Sequence, residues 1–251
     1  MAKNEEGVCQ YCKCRKKLCN AHIIPESFYV GKGLGPFLQI QADDFIKRRP
    51  IGYYDQNIIC PDCDGSFSAV EGYVSKLFDD AVLQNYKTGV LYILNKPVFD
   101  YSKVRRFVLF LLWKAGVSLS SGCSCVRLGK YEDILLDILK GVRPDDDELF
   151  KIFIVKFKEK EMQGAFAIKK TSFGGNIAYA FICNGFVFYV IPRLGFNVKN
   201  EPYSAFLLTS DRMIITEVDT NFDGIHKMFR EMMLKQINFI NSKKGSVKDD
   251  K

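Results

Sequence analysis

Cys9-Gln10-Tyr11-Cys12 and Cys60-Pro61-Asp62-Cys63 are two Cys-x-x-Cys pairs in the first quarter of the chain. Such a tight turn presents two thiolates to one ion, and zinc takes four ligands in a tetrahedron. Two pairs together predict a single structural zinc held by Cys9, Cys12, Cys60 and Cys63. A redox dithiol is the poorer reading, because it needs one pair only, at the start of a helix beside a βαβ unit. Residues 9–63 are rich in Cys, Gly, Pro and Asp and have few periodic apolar positions. A segment so short of core needs a staple, and zinc is the available one. Cys14 could replace Cys12, and Cys19 lies near enough to compete; both read as spare thiols.

Beyond the second pair the pattern becomes periodic. Val70, Tyr73, Val74, Leu77, Phe78 and Ala81 recur at helical spacing, which predicts a helix capped by Ser66 or Ser68 and running through Tyr86. Val90, Tyr92 and Leu94 alternate in a hairpin-like piece before Pro97. Residues 101–118 read as a buried helix. A further helix over 130–140 ends at Gly141 and Pro144. From Phe150 the runs IFIVKF, GAFAIKK, IAYAFIC, FVFYVIP, AFLLTS and MIITEV predict strands, with turns at Gly174-Gly175 and Asn184-Gly185. An antiparallel sheet over 150–220 follows, then a helix over 222–241 carrying His226, and a charged tail over 243–251. The expected fold class is α+β, with a zinc-stapled module in residues 1–95 followed by an α+β domain in 96–251.

The 251 residues are 47% hydrophobic and 26% charged, enough apolar content for a real core. No apolar leader follows MAKNEEGV, and the run Phe107–Trp113 is too short for a bilayer. A cytoplasmic location without a membrane is therefore the expectation. Net charge is +7, yet residues 1–80 hold 10 Lys and Arg against 11 Asp and Glu, so the basic excess lies further on. A basic excess suits nucleic acid, and it equally suits simple solubility. Arg105, Arg106, and Lys169-Lys170 with Phe173 are candidate phosphate or base contacts; ordinary solvated charges are the plainer reading. Cys123, Cys125 and Cys183 read as small buried hydrophobes.

His22 is one of two histidines in the chain and lies between the cysteine pairs in Ala21-His22-Ile23-Ile24-Pro25. Asn57 precedes the second pair, Asp64 follows it directly, and Glu71 stands two helical turns on, where it can share a face with Asp64. The order Cys-x-x-Cys, AHIIP, Asn-x-x-Cys-x-x-Cys and then a helix resembles the HNH, or ββα-metal, endonucleases built on a treble-clef zinc. The resemblance covers roughly residues 9–80. The string CDGSFSAVEGY is similar to a bacterial subset of that family associated with mobile elements and phage defence.

The resemblance implies roles residue by residue. His22 would be the general base that takes a proton from water, a task suited to an imidazole. Asn57 would brace the loop that carries it. Asp64 would ligate a catalytic Mg²⁺ or Mn²⁺, and Glu71 would add a second oxygen. Asp64 stands where the family usually has His or Asn, and Ala21 stands where many members have Asp. The metal would then rest on Asp64, Glu71 and water. The expected partner is nucleic acid, DNA in the first place, with the later domain reading the target, binding a protein or forming a homodimer. Plainer readings stay open. His22 could be a core or turn histidine or a zinc ligand, Asn57 could close a turn, and Asp64 and Glu71 could complement a helix dipole. The rival function is a non-catalytic zinc module that binds nucleic acid or protein.

Overall fold

A computed structural model describes residues 6–28, 37–40, 46–49, 54–159, 165–173, 176–192 and 205–219. In chain order its first strands are β1 (Glu6–Val8), β2 (Arg15–Lys17), β3 (Ala21–His22), β4 (Phe37–Ile40), β5 (Ile46–Arg49) and β6 (Tyr54–Asp55). Helices α1 (Pro61–Gly65), α2 (Ser68–Leu77) and α3 (Asp80–Leu83) follow, then β7 (Lys87–Thr88) and β8 (Leu91–Asn95). The remainder is α4 (Tyr101–Val117), α5 (Tyr131–Leu139), β9 (Phe150–Phe157), β10 (Ala165–Phe173), β11 (Asn176–Cys183), β12 (Phe186–Pro192) and β13 (Arg212–Val218). Mixed helix and sheet with a cysteine cluster near the N-terminus is the observed class. The helix expected over 222–241, His226, the tail and the Gly174-Gly175 turn lie outside the described residues.

The large sheet has the order β5-β4-β10-β11-β12-β9-β13-β8-β7. From β10 through β11 and β12 to β9 every pairing is antiparallel, as the apolar alternation predicts. Asn184 and Gly185 turn β11 into β12 with φ of 52° and 82°, the left-handed pair that a tight hairpin needs. The sheet is nevertheless mixed, which corrects the purely antiparallel expectation. β13 lies parallel to β9, and β10 lies parallel to β4. A period of two tells which face a side chain takes but not which way the neighbouring strand runs. No helix interrupts 176–191, as expected. The boundary expected at 95/96 lies inside this sheet, because β8 pairs with β13.

The helix expected from Ser66 to Tyr86 is broken. Ser66 closes α1, its Oγ donating to the Cys63 carbonyl at 2.7 Å. α2 stops at Phe78, and the Asp79 carboxylate caps α3 by accepting the Ala81 N–H at 2.9 Å. A capping carboxylate competes with continued helix, and here it wins.

Helix α4 starts at Asp100, whose carboxylate accepts the Lys103 N–H. It is buried on almost every side, which is how a helix between two layers reads. Phe107 meets Phe188 of β12. Phe110, one turn on, stacks on Phe67 with centroids 3.6 Å apart. Tyr11, from the first cysteine turn, meets both Phe67 and Trp113 edge-on. The cysteine turn is thus packed into the same core as the large sheet.

Candidate functional site

The first cysteine pair sits in the turn joining β1 to β2, which pair antiparallel. The second pair ends the chain's entry to α1, where Pro61 occupies a first-turn position that suits its fixed φ. The four ligand atoms of Cys9, Cys12, Cys60 and Cys63 all lie within 4.8 Å of one another. Backbone N–H groups of Cys12 and Cys60 point at the Cys9 sulfur, at 3.5 and 3.4 Å. Burial pushes the Cys9 and Cys63 thiols up; at Cys12 burial is outweighed by hydrogen bonds with Cys14, Cys9 and Cys63, which lower that thiol to about 7. The donor set fits a metal ion that prefers thiolate. Cys14 is exposed, with its thiol directed to the Cys12 carbonyl. Cys19 donates to the Ile59 carbonyl at 3.3 Å, and its thiol is raised to about 11 by burial and then by Asp64.

His22 is not part of this cluster. It lies on β3, which pairs with β6 in a two-residue ribbon, His22 opposite Tyr54. His22 lines a cleft of about 260 Å³ together with Glu26, Asp64, Ser68, Glu71 and Lys114. Its Nε2 atom is buried and has no hydrogen-bond partner among the described residues. Three residues named from sequence, His22, Asp64 and Glu71, therefore converge on one space. α1 brings Asp64 there directly after Cys63, and the following helix brings Glu71. The Glu71 carboxyl is raised, first by burial; Lys114 opposes that shift, and nearby Asp64 and His22 push it in opposite directions. Among the described residues the four cysteines are the one group of three or more His, Cys, Asp or Glu placed to hold a metal ion.

Asn57 is placed elsewhere. It is exposed and does not line the cleft. Its backbone N–H donates to Asp55 Oδ1 at 2.9 Å, closing a turn. Asp55 is buried on β6 and accepts the Ser118 hydroxyl at 2.6 Å.

Lys114 is the residue that the sequence reading missed. It is 1% exposed, and its ammonium donates to the His22 carbonyl at 2.6 Å and to Glu71 Oε1 at 3.1 Å. It also sits 4.4 Å from the Phe110 ring centroid. The signal was present: a lone lysine inside the apolar run FVLFLLWKAGV, which costs too much unless it is paired.

Two expected nucleic-acid contacts take other roles. Arg105 is buried and grips Asp145 through two nitrogens, with further bonds to the Phe150 and Asp146 carbonyls. It is unavailable to a phosphate, which corrects that expectation. Arg106 lies over the Phe67 ring at 4.7 Å. Lys170 is exposed on β10 and Lys169 half-buried, while the Phe173 side chain lies outside the described residues. Cys123 and Cys183 are buried, as expected, and Cys125 donates to the Ile168 carbonyl.

No protein family, curated protein or solved structure matches the chain. Among the described residues no helix is long and apolar enough to cross a membrane.

Proposed function

We propose that the chain is a metal-dependent endonuclease of the HNH type, hydrolysing DNA phosphodiesters at the His22 cleft beside a structural zinc. The observation that carries the reading is the convergence of His22, Asp64 and Glu71 on one cleft, with His22 Nε2 buried and unpartnered. An imidazole nitrogen without a partner costs stability unless something else uses it. Here that use is to take a proton from the attacking water. The treble-clef reading is supported by the chain order: a cysteine turn between two strands, the β3–β6 ribbon, then a helix opening at the second pair. A four-thiolate set at this spacing suits a tetrahedral zinc.

Asp64, with Glu71 behind it, would hold a Mg²⁺ or Mn²⁺ ion, which when bound neutralises charge on the phosphate and on the leaving oxygen. Ala21 contributes only backbone to β3, so no ligand comes from that position. Pairing with Tyr54 fixes the direction of the His22 backbone, and Lys114 holds its carbonyl. The exposed Lys170 on β10 suits a phosphate backbone passing the sheet.

Plasmid cleavage with Mg²⁺ or Mn²⁺ tests the reading. His22→Ala should lose ~10²–10⁴-fold in rate while DNA binding persists. Asp64→Ala should instead raise the metal concentration needed for activity. Equal cutting by parent and both variants would sink the proposal. A parent that binds DNA with steep salt dependence yet cuts nothing gives the non-catalytic module instead.

A further inference from the structure

Helix α2 lines a second cavity beside the His22 cleft. Ser68, Glu71 and Gly72 line the cleft. Ser75 and Lys76, one turn further along the helix, line a larger cavity of about 460 Å³. One turn is about 5.4 Å, so the two spaces are neighbours. Ser27 lines both, and its carbonyl accepts the Ser75 hydroxyl at 3.2 Å, which ties the wall between them to α2.

The second cavity has an apolar wall from Phe28, Phe78 and Val82, the last 37% exposed. Its size lies within the ~300–1,000 Å³ usual for sites that take a small organic molecule. Asn184 adds an amide to this wall. The residue is 7% exposed, and its side-chain amide has no hydrogen-bond partner among the described residues. The left-handed φ of 52° explains an Asn or Gly at this turn. Glycine would serve the turn equally without burying an amide. A buried amide without a partner costs stability unless a ligand supplies one.

Asp79 lines the same cavity, its Oδ1 accepting the Ala81 N–H. A carboxylate there opposes a phosphate inside the cavity. Together with an amide it matches the donors and acceptors on the edge of a nucleobase. Lys76 is exposed and has no carboxylate partner among the described residues, which leaves it for a flanking phosphate.

We propose that this cavity is a nucleobase subsite, receiving the base of a nucleotide next to the phosphate held at the His22 cleft, with Asn184 reading its edge. This rests on the reading of the cleft as a phosphodiester site. A base inside a duplex is stacked and cannot enter such a cavity without being turned out, which is least costly where it is unpaired. The substrate class is therefore DNA with an unpaired nucleotide beside the cut.

Binding of short fluorescein-labelled single strands to the full zinc-loaded chain, read by anisotropy without added Mg²⁺ or Mn²⁺, tests this apart from cleavage. The probes are oligo(dA), oligo(dC), oligo(dT) and an abasic strand of the same length. The parent should bind its preferred homopolymer at least about fivefold more tightly than its poorest, and the abasic strand more weakly still. Asn184→Gly, which keeps the turn, should bring the homopolymers within about twofold of one another. Val82→Trp, which fills the cavity from its exposed side, should reduce every homopolymer to about the abasic level. Lys76→Ala should weaken all strands alike and reduce the salt slope by about one. A parent that binds no strand, or binds the abasic strand as tightly as the others, overturns the proposal. So does a folded Asn184→Gly that keeps the full spread, or a folded Val82→Trp that binds bases like the parent. Plasmid cleavage is scored separately. A parent that discriminates bases yet cuts nothing keeps the subsite and loses the nuclease; one that cuts without discriminating bases does the reverse.

Discussion

Arg105→Met separates a buried structural ion from a phosphate contact. Arg105 is 1% exposed, and its guanidinium makes bonds of 2.6 and 2.8 Å to Asp145, 2.8 Å to the Phe150 carbonyl and 3.0 Å to the Asp146 carbonyl. Methionine preserves most of the stem and its packing but none of these bonds. Breaking a buried pair from one side costs ~3–5 kcal/mol. The Asp145 side chain is 36% exposed, so water can recover part of its loss. The Phe150 carbonyl lies in the core and cannot recover as easily, at ~1–3 kcal/mol for an unsatisfied group. The lower end, about 3 kcal/mol, is therefore expected. For a chain of this size that lowers the melting temperature by about 6–12 °C. Urea unfolding read by fluorescence of Trp113, the single tryptophan and fully buried, measures it. DNA affinity and its salt slope should stay as in the parent. An unchanged urea midpoint with a shallower salt slope would refute the reasoning and return Arg105 to the nucleic-acid surface.

Three further outcomes are expected. Elemental analysis should find zinc near one per chain, lost in Cys60→Ser and kept in Cys14→Ser; a metal-free parent with an intact cooperative N-terminal fold would exclude the staple. Ser118→Ala should cost ~1–3 kcal/mol because the buried Asp55 Oδ2 loses its donor while Oδ1 keeps the Asn57 N–H; Asn57→Ala should leave stability and cleavage within about twofold, since surface changes are usually small, and the reverse pattern would make Asn57 the brace. Burial raises the Glu217 carboxyl, but the Lys87 hydrogen bond, the Tyr92 hydroxyl and the Lys87 and Lys156 charges outweigh it and hold the group below its ordinary 4.5. A depressed carboxyl contributes stability that is complete above 4.5 and is lost as pH falls through its folded value. Glu217→Gln should therefore flatten the acid limb of stability against pH, and an unchanged limb would remove Glu217 from that role.

What could be read in the sequence was what is local or carries a short spacing. The four cysteines are legible because each pair spans one turn. The helix over 101–118 is legible because its apolar content is nearly unbroken, and the structure places it at Tyr101–Val117. The β11–β12 hairpin is legible in Asn184-Gly185 because few residues accept positive φ there. Partners far apart in the chain were not legible. Arg105 looks like any helix cation until Asp145 closes on it from the loop after α5. The break at Phe78 depends on Asp79 turning its carboxylate to the Ala81 N–H, a choice that apolar periodicity cannot register. The parallel pairing of β13 with β9 arises from long connections, which leave no mark on either strand.

Helix α4 explains why the cleft belongs to the whole fold and not to its first part. The β3–β6 ribbon is two residues long on each side, far below what holds a strand pair together in water. Something else must keep His22 in place. Lys114 lies in the last turn of α4, and Ser118 is the residue that ends the helix. Lys114 holds the His22 carbonyl on β3, and Ser118 holds the Asp55 carboxylate on β6. The C-terminal end of α4 thus clamps both strands of the ribbon, and the same lysine fixes Glu71 on α2. The cysteine cluster acts from the other end: Cys60 precedes the first residue of α1, Cys63 lies within it, and Asp64 is the next residue. Tyr11, packed on Trp113, joins the cluster to the helix turn that carries the clamp. His22 is therefore placed from α4 and Asp64 from the cysteines. The aromatic contact between those two supports keeps the distance across the cleft.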